Sequence, residues 1–149
     1  MAYPQSGGHL NYFAPDAAAP IIVIDIGASS ADAGELSCYK PCRVKRLMFC
    51  VTDEAVSGTD TAPTVIFTHR PTPNSATNEA VVGTLTIPSG TAVGKVIYKD
   101  VDYQFDVGDV MEISHTVGVG TPTGQGIACF ECEDSSEVPG NMSDMIESA

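Results

Sequence analysis

Tryptophan is absent, aromatic residues make up only 7% of the chain, and seven of its 149 residues are Lys or Arg. Against those seven stand 19 Asp and Glu, a formal net charge of −12, and a surface that negative repels phosphate backbones and anionic lipid. Neither nucleic acid nor a membrane is an expected partner. Long apolar runs are missing too. The longest clean one near the N-terminus, Ile21 to Ile24, follows Pro20 and stops at Asp25, far short of the roughly 20 residues a bilayer span needs. The N-terminus has no basic leader region, so synthesis in a cytoplasm is expected, where Cys38, Cys42, Cys50, Cys129 and Cys132 stay reduced. Five is also an odd number for a closed disulfide framework. No G-x-S-x-G, H-E-x-x-H, P-loop or G-x-G-x-x-G occurs. No enzyme and no cofactor is expected.

What the chain does have is β texture. Its 15.5 kDa suit one domain. The first 20 residues mix Gly, Pro and Ala without a 3.6 or 2.0 period and read as an extended arm. From residue 21 to 133, short runs rich in Val, Ile, Thr, Phe and Tyr alternate with turn residues, the pattern of many short strands. Strands are expected at 21–26, 42–52, 64–69, 81–87, 93–99, 101–105, 109–117 and 127–133. Eight strands at this density predict an all-β fold, an antiparallel β-sandwich of jelly-roll-like form. Pro88-Ser89-Gly90-Thr91 and Asp106-Val107-Gly108-Asp109 read as tight turns. Helical turns are expected at Ala31 to Leu36, capped by Ser30, and after Asn141. The expected core includes Val44, Phe49, Val65, Phe67, Leu85, Ile87, Val96, Phe105, Ile113 and Phe130.

The charge is unevenly placed. Residues 1–99 hold all seven bases and net −1, whereas residues 100–149 hold 11 acids and no base. Residues 134–149 therefore read as an acidic C-terminal arm. Each arm carries a few apolar residues, Leu10, Tyr12 and Phe13 in the first and Met142, Met145 and Ile146 in the second, too few for a core of their own. Their expected role is contact with a partner surface. Lys40, Arg43, Lys45 and Arg46 form the opposite pole. They read either as a docking patch for an acidic surface, such as another copy's tail, or as an ordinary solvated strand start.

Three constellations have chemical potential. Cys38-x3-Cys42 with Cys129-x2-Cys132 offers four thiolates for a zinc ion or partners for a disulfide. Strand positions i and i+3 point to opposite faces, however, so buried or idle thiols are the simpler reading. Asp100, Asp102, Asp106 and Asp109 lack the spacing of an EF-hand loop and read as a looser calcium site or as solvated strand edges. His115, alternating with Met111 and Ile113, reads as a half-buried strand residue, and His69 ends a strand before Arg70-Pro71. No metal ligand is assigned.

The stretch Gly83-Thr84-Leu85-Thr86-Ile87-Pro88-Ser89-Gly90-Thr91-Ala92-Val93-Gly94-Lys95-Val96, followed by Tyr98 and by Phe105-Asp106-Val107-Gly108-Asp109, resembles the small β-sandwich decoration, or cement, proteins of tailed-phage heads. The tail Glu137-Val138-Pro139-Gly140-Asn141-Met142-Ser143-Asp144-Met145 is similar to the ends of small virion proteins of that kind. The resemblance covers residues 81–149 best and transfers no individual contact residue. It implies a structural virion protein on the capsid surface that binds the major capsid protein lattice, commonly as homotrimers. The competing reading is a receptor- or carbohydrate-binding domain of a phage fibre, which would stack sugars on exposed aromatics. For that role the chain offers no Trp and only Tyr3, Tyr12, Tyr39, Tyr98 and Tyr103.

Overall fold

Alternating apolar residues between glycine, proline and aspartate turns produce strands throughout residues 12–15, 22–71, 78–117 and 119–134, the residues described by the computed structural model. In chain order these are β1 (Tyr12–Phe13), β2 (Ile22–Asp25), β3 (Ser30–Cys38), β4 (Cys42–Thr59), β5 (Thr64–Arg70), β6 (Ala80–Thr86), β7 (Val96–Phe105), β8 (Val110–Thr116) and β9 (Gly120–Asp134). No α-helix occurs among the described residues. The protein is all-β. Two four-stranded antiparallel sheets, β3-β8-β5-β6 and β2-β9-β4-β7, face each other, and β1 extends the first by pairing in parallel with β3. The chain changes sheet at every connection except that from β5 to β6, which pair with each other.

Two expected turns form as read. The Thr91 N–H donates to the Pro88 carbonyl, with Gly90 at φ 91°, and the Asp109 N–H donates to Asp106, with Gly108 at φ 92°. Only glycine adopts such angles without strain. The strands expected separately at 93–99 and 101–105 are one strand, β7. The helical turn expected at Ala31 to Leu36 is instead part of β3, where pairing with β8 overrides the local capping signal.

Between the sheets lies a core that includes Val44, Leu47, Phe49, Val65, Phe67, Leu85, Phe105, Ile113 and Phe130. Val96, expected inside, is 51% exposed because its register partner is Cys50, on the outer side of β4. Gly126 is required by contact: an added Cβ would collide with the Phe49 ring and the Cys50 carbonyl. The apolar positions of β4 run 44, 47, 49, 51, and the skipped beat at Lys45 is a β-bulge against both neighbours. Under strict alternation with no bulge, Arg46 would point into the core and Leu47 out of it.

Within the expected N-terminal arm, the role of Phe13 requires correction. Phe13 is 1% exposed, and its ring meets Phe105 and Phe130 edge to face at centroid separations of 5.3 and 5.0 Å. It is a core residue that closes one end of the sandwich, not a free contact residue. Phe13→Ala should therefore lower stability by about 3 to 5 kcal/mol in urea unfolding, and deleting residues 1–20 should lower the melting temperature rather than leave it unchanged.

Candidate functional site

Outside the core, the two sheets present different surfaces. The outer side of β3-β8-β5-β6 is wet: Thr64 and Thr116 share a hydroxyl hydrogen bond across β5 and β8, and Ile66 is flanked by Ser114 and Thr84. Further along, Glu35 and Glu112 sit opposite each other on β3 and β8, a repulsive pair. Arg70 resolves it. Its guanidinium donates to Glu35 at 2.7 Å, to Glu79 at 3.2 Å and to Glu112. Sequence reading missed this bridge because the acids come from three separate segments.

The outer side of β2-β9-β4-β7 is built in rows fixed by register. Val96, Cys50, Ile127 and Val23 lie side by side across all four strands, and Tyr98, Met48 and Cys129 form the adjoining row. Val23, Val96 and Tyr98 are 60%, 51% and 58% exposed. Beyond them come the charged rows Asp100, Arg46, Glu131 and Gln104, Arg43, Glu133. Four strands thus carry an apolar band bordered by paired ions. Its signal in the sequence is apolar residues in both phases of a strand, Leu47-Met48-Phe49-Cys50-Val51 and Ile127-Ala128-Cys129-Phe130, which marks strands apolar on two faces.

The expected basic patch lies on this same face, and its charges are met within the chain. Arg43 Nε donates to Asp102 Oδ1 at 2.6 Å, Lys45 Nζ is 3.4 Å from the same oxygen, and Arg46 Nε donates to Asp100 Oδ1 at 2.6 Å. These hydrogen bonds hold the carboxyls of Asp100 and Asp102 below the usual range and raise the Arg46 guanidinium. Arg46 also lies over the Tyr98 ring, 4.6 Å from its centroid. The patch is therefore no bare positive pole awaiting another copy's acidic tail. Lys40, half-buried in the β3–β4 connection, lies apart from the three. Tyr12 is in β1, while Leu10, Met142, Met145 and Ile146 fall outside the described residues.

The acidic cluster is also divided. Asp100 and Asp102 face outward with the arginines, whereas Asp109 is buried at the end of the sandwich. There His69 Nε2 lies 2.8 Å from Asp109 Oδ2, and His69 Nδ1 is hydrogen-bonded to the Tyr103 hydroxyl at 3.1 Å. The imidazole stacks edge-on against Tyr103 and Phe105. With both ring nitrogens engaged, the triad ties β5, β7 and the start of β8 across the two sheets. Burial, then the Asp109 carboxylate, raise the Tyr103 phenol. His115 is buried, its nitrogens 3.1 Å from the Thr64 carbonyl and 3.2 Å from that of Ile26.

The cysteines separate by face. Cys132 is level with inward Val44, and Cys129 with outward Met48. Of the four thiols weighed for zinc, Cys129 therefore faces away while Cys38, Cys42 and Cys132 meet on the inner side, and no group of three His, Cys, Asp or Glu among the described residues is placed to hold a metal. Cys38 Sγ donates to the Lys40 carbonyl at 3.0 Å and lies 4.0 Å from Cys42 Sγ. Hydrogen bonding with Cys132 and Cys38, then burial, raise the Cys42 thiol far above its ordinary value. It is held as the unreactive protonated form.

The chain matches no family model, no curated protein and no solved structure.

Two measurements check this geometry. Because the folded Tyr103 pKa lies above its unfolded value of 10.0, its contribution is complete below pH 10 and lost as pH rises through the folded value. Tyr103→Phe, which removes one hydrogen bond, should cost about 1 kcal/mol at neutral pH, and that deficit should shrink in denaturation curves taken at higher pH. A thiol-titrating disulfide reagent should modify no more than Cys50, Cys129 and Cys132 in the native protein. Cys38 and Cys42 should react only after unfolding.

Proposed function

We propose that this protein is a structural virion protein that binds the outside of an assembled phage head and strengthens its major-capsid lattice. The observation that carries the reading is the apolar band on the β2-β9-β4-β7 face, a surface fit for contact with protein. Supporting it is the strand order. With β2 to β9 counted as strands one to eight, the sheets run one-eight-three-six and two-seven-four-five, the order of a jelly roll, an architecture used by viral capsid and lectin domains. Fold alone does not assign a function. The negative surface adds a second argument, since it opposes adsorption to nucleic acid spilled from particles. Major capsid protein is the partner on this reading, and the capsid surface is the location.

The carbohydrate-binding alternative needs open aromatic faces. Tyr98 is covered on one side by Arg46, and Tyr103 is bound to His69. Titration of the purified protein onto heads lacking it should show saturable co-sedimentation at a fixed ratio to the major capsid protein and a higher temperature of head rupture. Absence of head binding at micromolar concentration, together with retention on a glycan surface, would replace this reading with the fibre one.

A further inference from the structure

The outer face of β2-β9-β4-β7 has an internal symmetry that points to its occupant. We propose that in the free protein it pairs with the same face of a second copy, related by a two-fold axis that runs parallel to the strands between β4 and β9, so that the second copy and the capsid lattice compete for one band. Such an axis lays β4 of one copy over β9 of the other, and β7 over β2. Every row keeps its level, so the apolar rows Val96-Cys50-Ile127-Val23 and Tyr98-Met48-Cys129 meet apolar rows.

The charged rows then decide between arrangements. On β4 they carry Arg46 and Arg43, and on β9, at the same levels, Glu131 and Glu133. Exchange of β4 with β9 sets each arginine opposite a glutamate of the other copy, and by symmetry each contact occurs twice. A two-fold axis across the strands at the middle of the face would instead press the charged rows onto the apolar band, at a large desolvation cost. Charge complementarity therefore selects the axis along the strands. Asp100 and Asp102 keep their partners on β4, so the arrangement requires no in-chain ion pair to break.

Strands about 4.8 Å apart and four same-side rows about 7 Å apart, with β2 reaching only the first row, cover roughly 400 Å² in projection. The relief of side chains such as Tyr98, Met48 and Arg46 adds to this, against the ~800 Å² per partner of a standard interface. Among the described residues, the other outer face, lined by threonine and serine and by the Arg70 bridge, has neither an apolar band nor opposed charge columns.

A two-fold pair differs from the ring of three expected from the basic segment and acidic tail, whose charge argument is weakened by the pairing of Arg43, Lys45 and Arg46 with Asp100 and Asp102. Because the free protein is measured, the test is independent of head binding. Sedimentation equilibrium of the full chain should give twice its 15.5 kDa mass. Tyr98→Glu and Val23→Glu, at exposed positions that leave the core intact, should each weaken association at least tenfold while the circular dichroism spectrum is unchanged.

Arg46→Glu and Glu131→Arg should each also yield monomer. Mixed in equal amounts, those two variants should recover a heterodimer, since only the mixed pair restores opposite charges at both contacts. A purely structural role for Arg46 cannot produce that complementation. A monomer at millimolar concentration, a mass three times that of the chain, a dimer indifferent to Tyr98→Glu, or charge variants that fail to complement would each overturn the proposal.

Discussion

The long antiparallel pairing of β4 with β9 is the constraint on which the rest of the molecule depends. It runs from Cys42 opposite Asp134 to Thr59 opposite Gly120, and both remaining strands of that sheet attach to it, β2 along β9 and β7 along β4. A slip by one residue would turn Phe49, Leu47 and Phe130 out of the core and drive arginine into it. The bulge at Lys45 is the adjustment that lets one strand meet both demands. On its inner side the hydrophobic beat resumes at Leu47, and on its outer side Arg43 and Arg46 come to one face within reach of Asp102 and Asp100.

The local pattern of the chain was sufficient for most strands, because a half-buried strand writes its two faces directly into alternate residues. Val101, Tyr103 and Phe105 point inward as their spacing implies, and so do Met111, Ile113 and His115. What alternation does not contain is pairing across distance. Ser30–Cys38, with its Ala, Asp and Gly, has weak β texture and is a strand only because β8 lies beside it. Phe13 looks isolated in a Gly- and Pro-rich stretch, and its place is determined by Phe105 and Phe130, more than 90 residues away. The candidate face was legible only in part. Arg43, Lys45 and Arg46 were visible as a cluster, but their partners and the apolar rows beside them depend on register.

Surface charge is distributed by the same logic. An excess of acids would strain a compact domain through self-repulsion, yet the described structure places its arginines where acids crowd most closely. Arg70 lies among Glu35, Glu79 and Glu112, and Arg43, Lys45 and Arg46 lie along Asp100 and Asp102. The arginines count for more than their number because each is set beside carboxylates. The exposed pairs are individually weak in water, and their greater effect is to keep the apolar band bounded by a neutralised border.

The closure of the sandwich by its two chain ends has a consequence for how the molecule is made. A ribosome releases β1 and β2 before their partners: among the described strands β2 pairs with β9, and Phe13 has its ring partners in residues 105 and 130. These strands must wait, unsatisfied, until β9 has emerged. Topologies so rich in distant contacts fold slowly and expose strand edges meanwhile, so a nascent chain of this protein is vulnerable to mispairing with its neighbours on the same message until its last strand arrives.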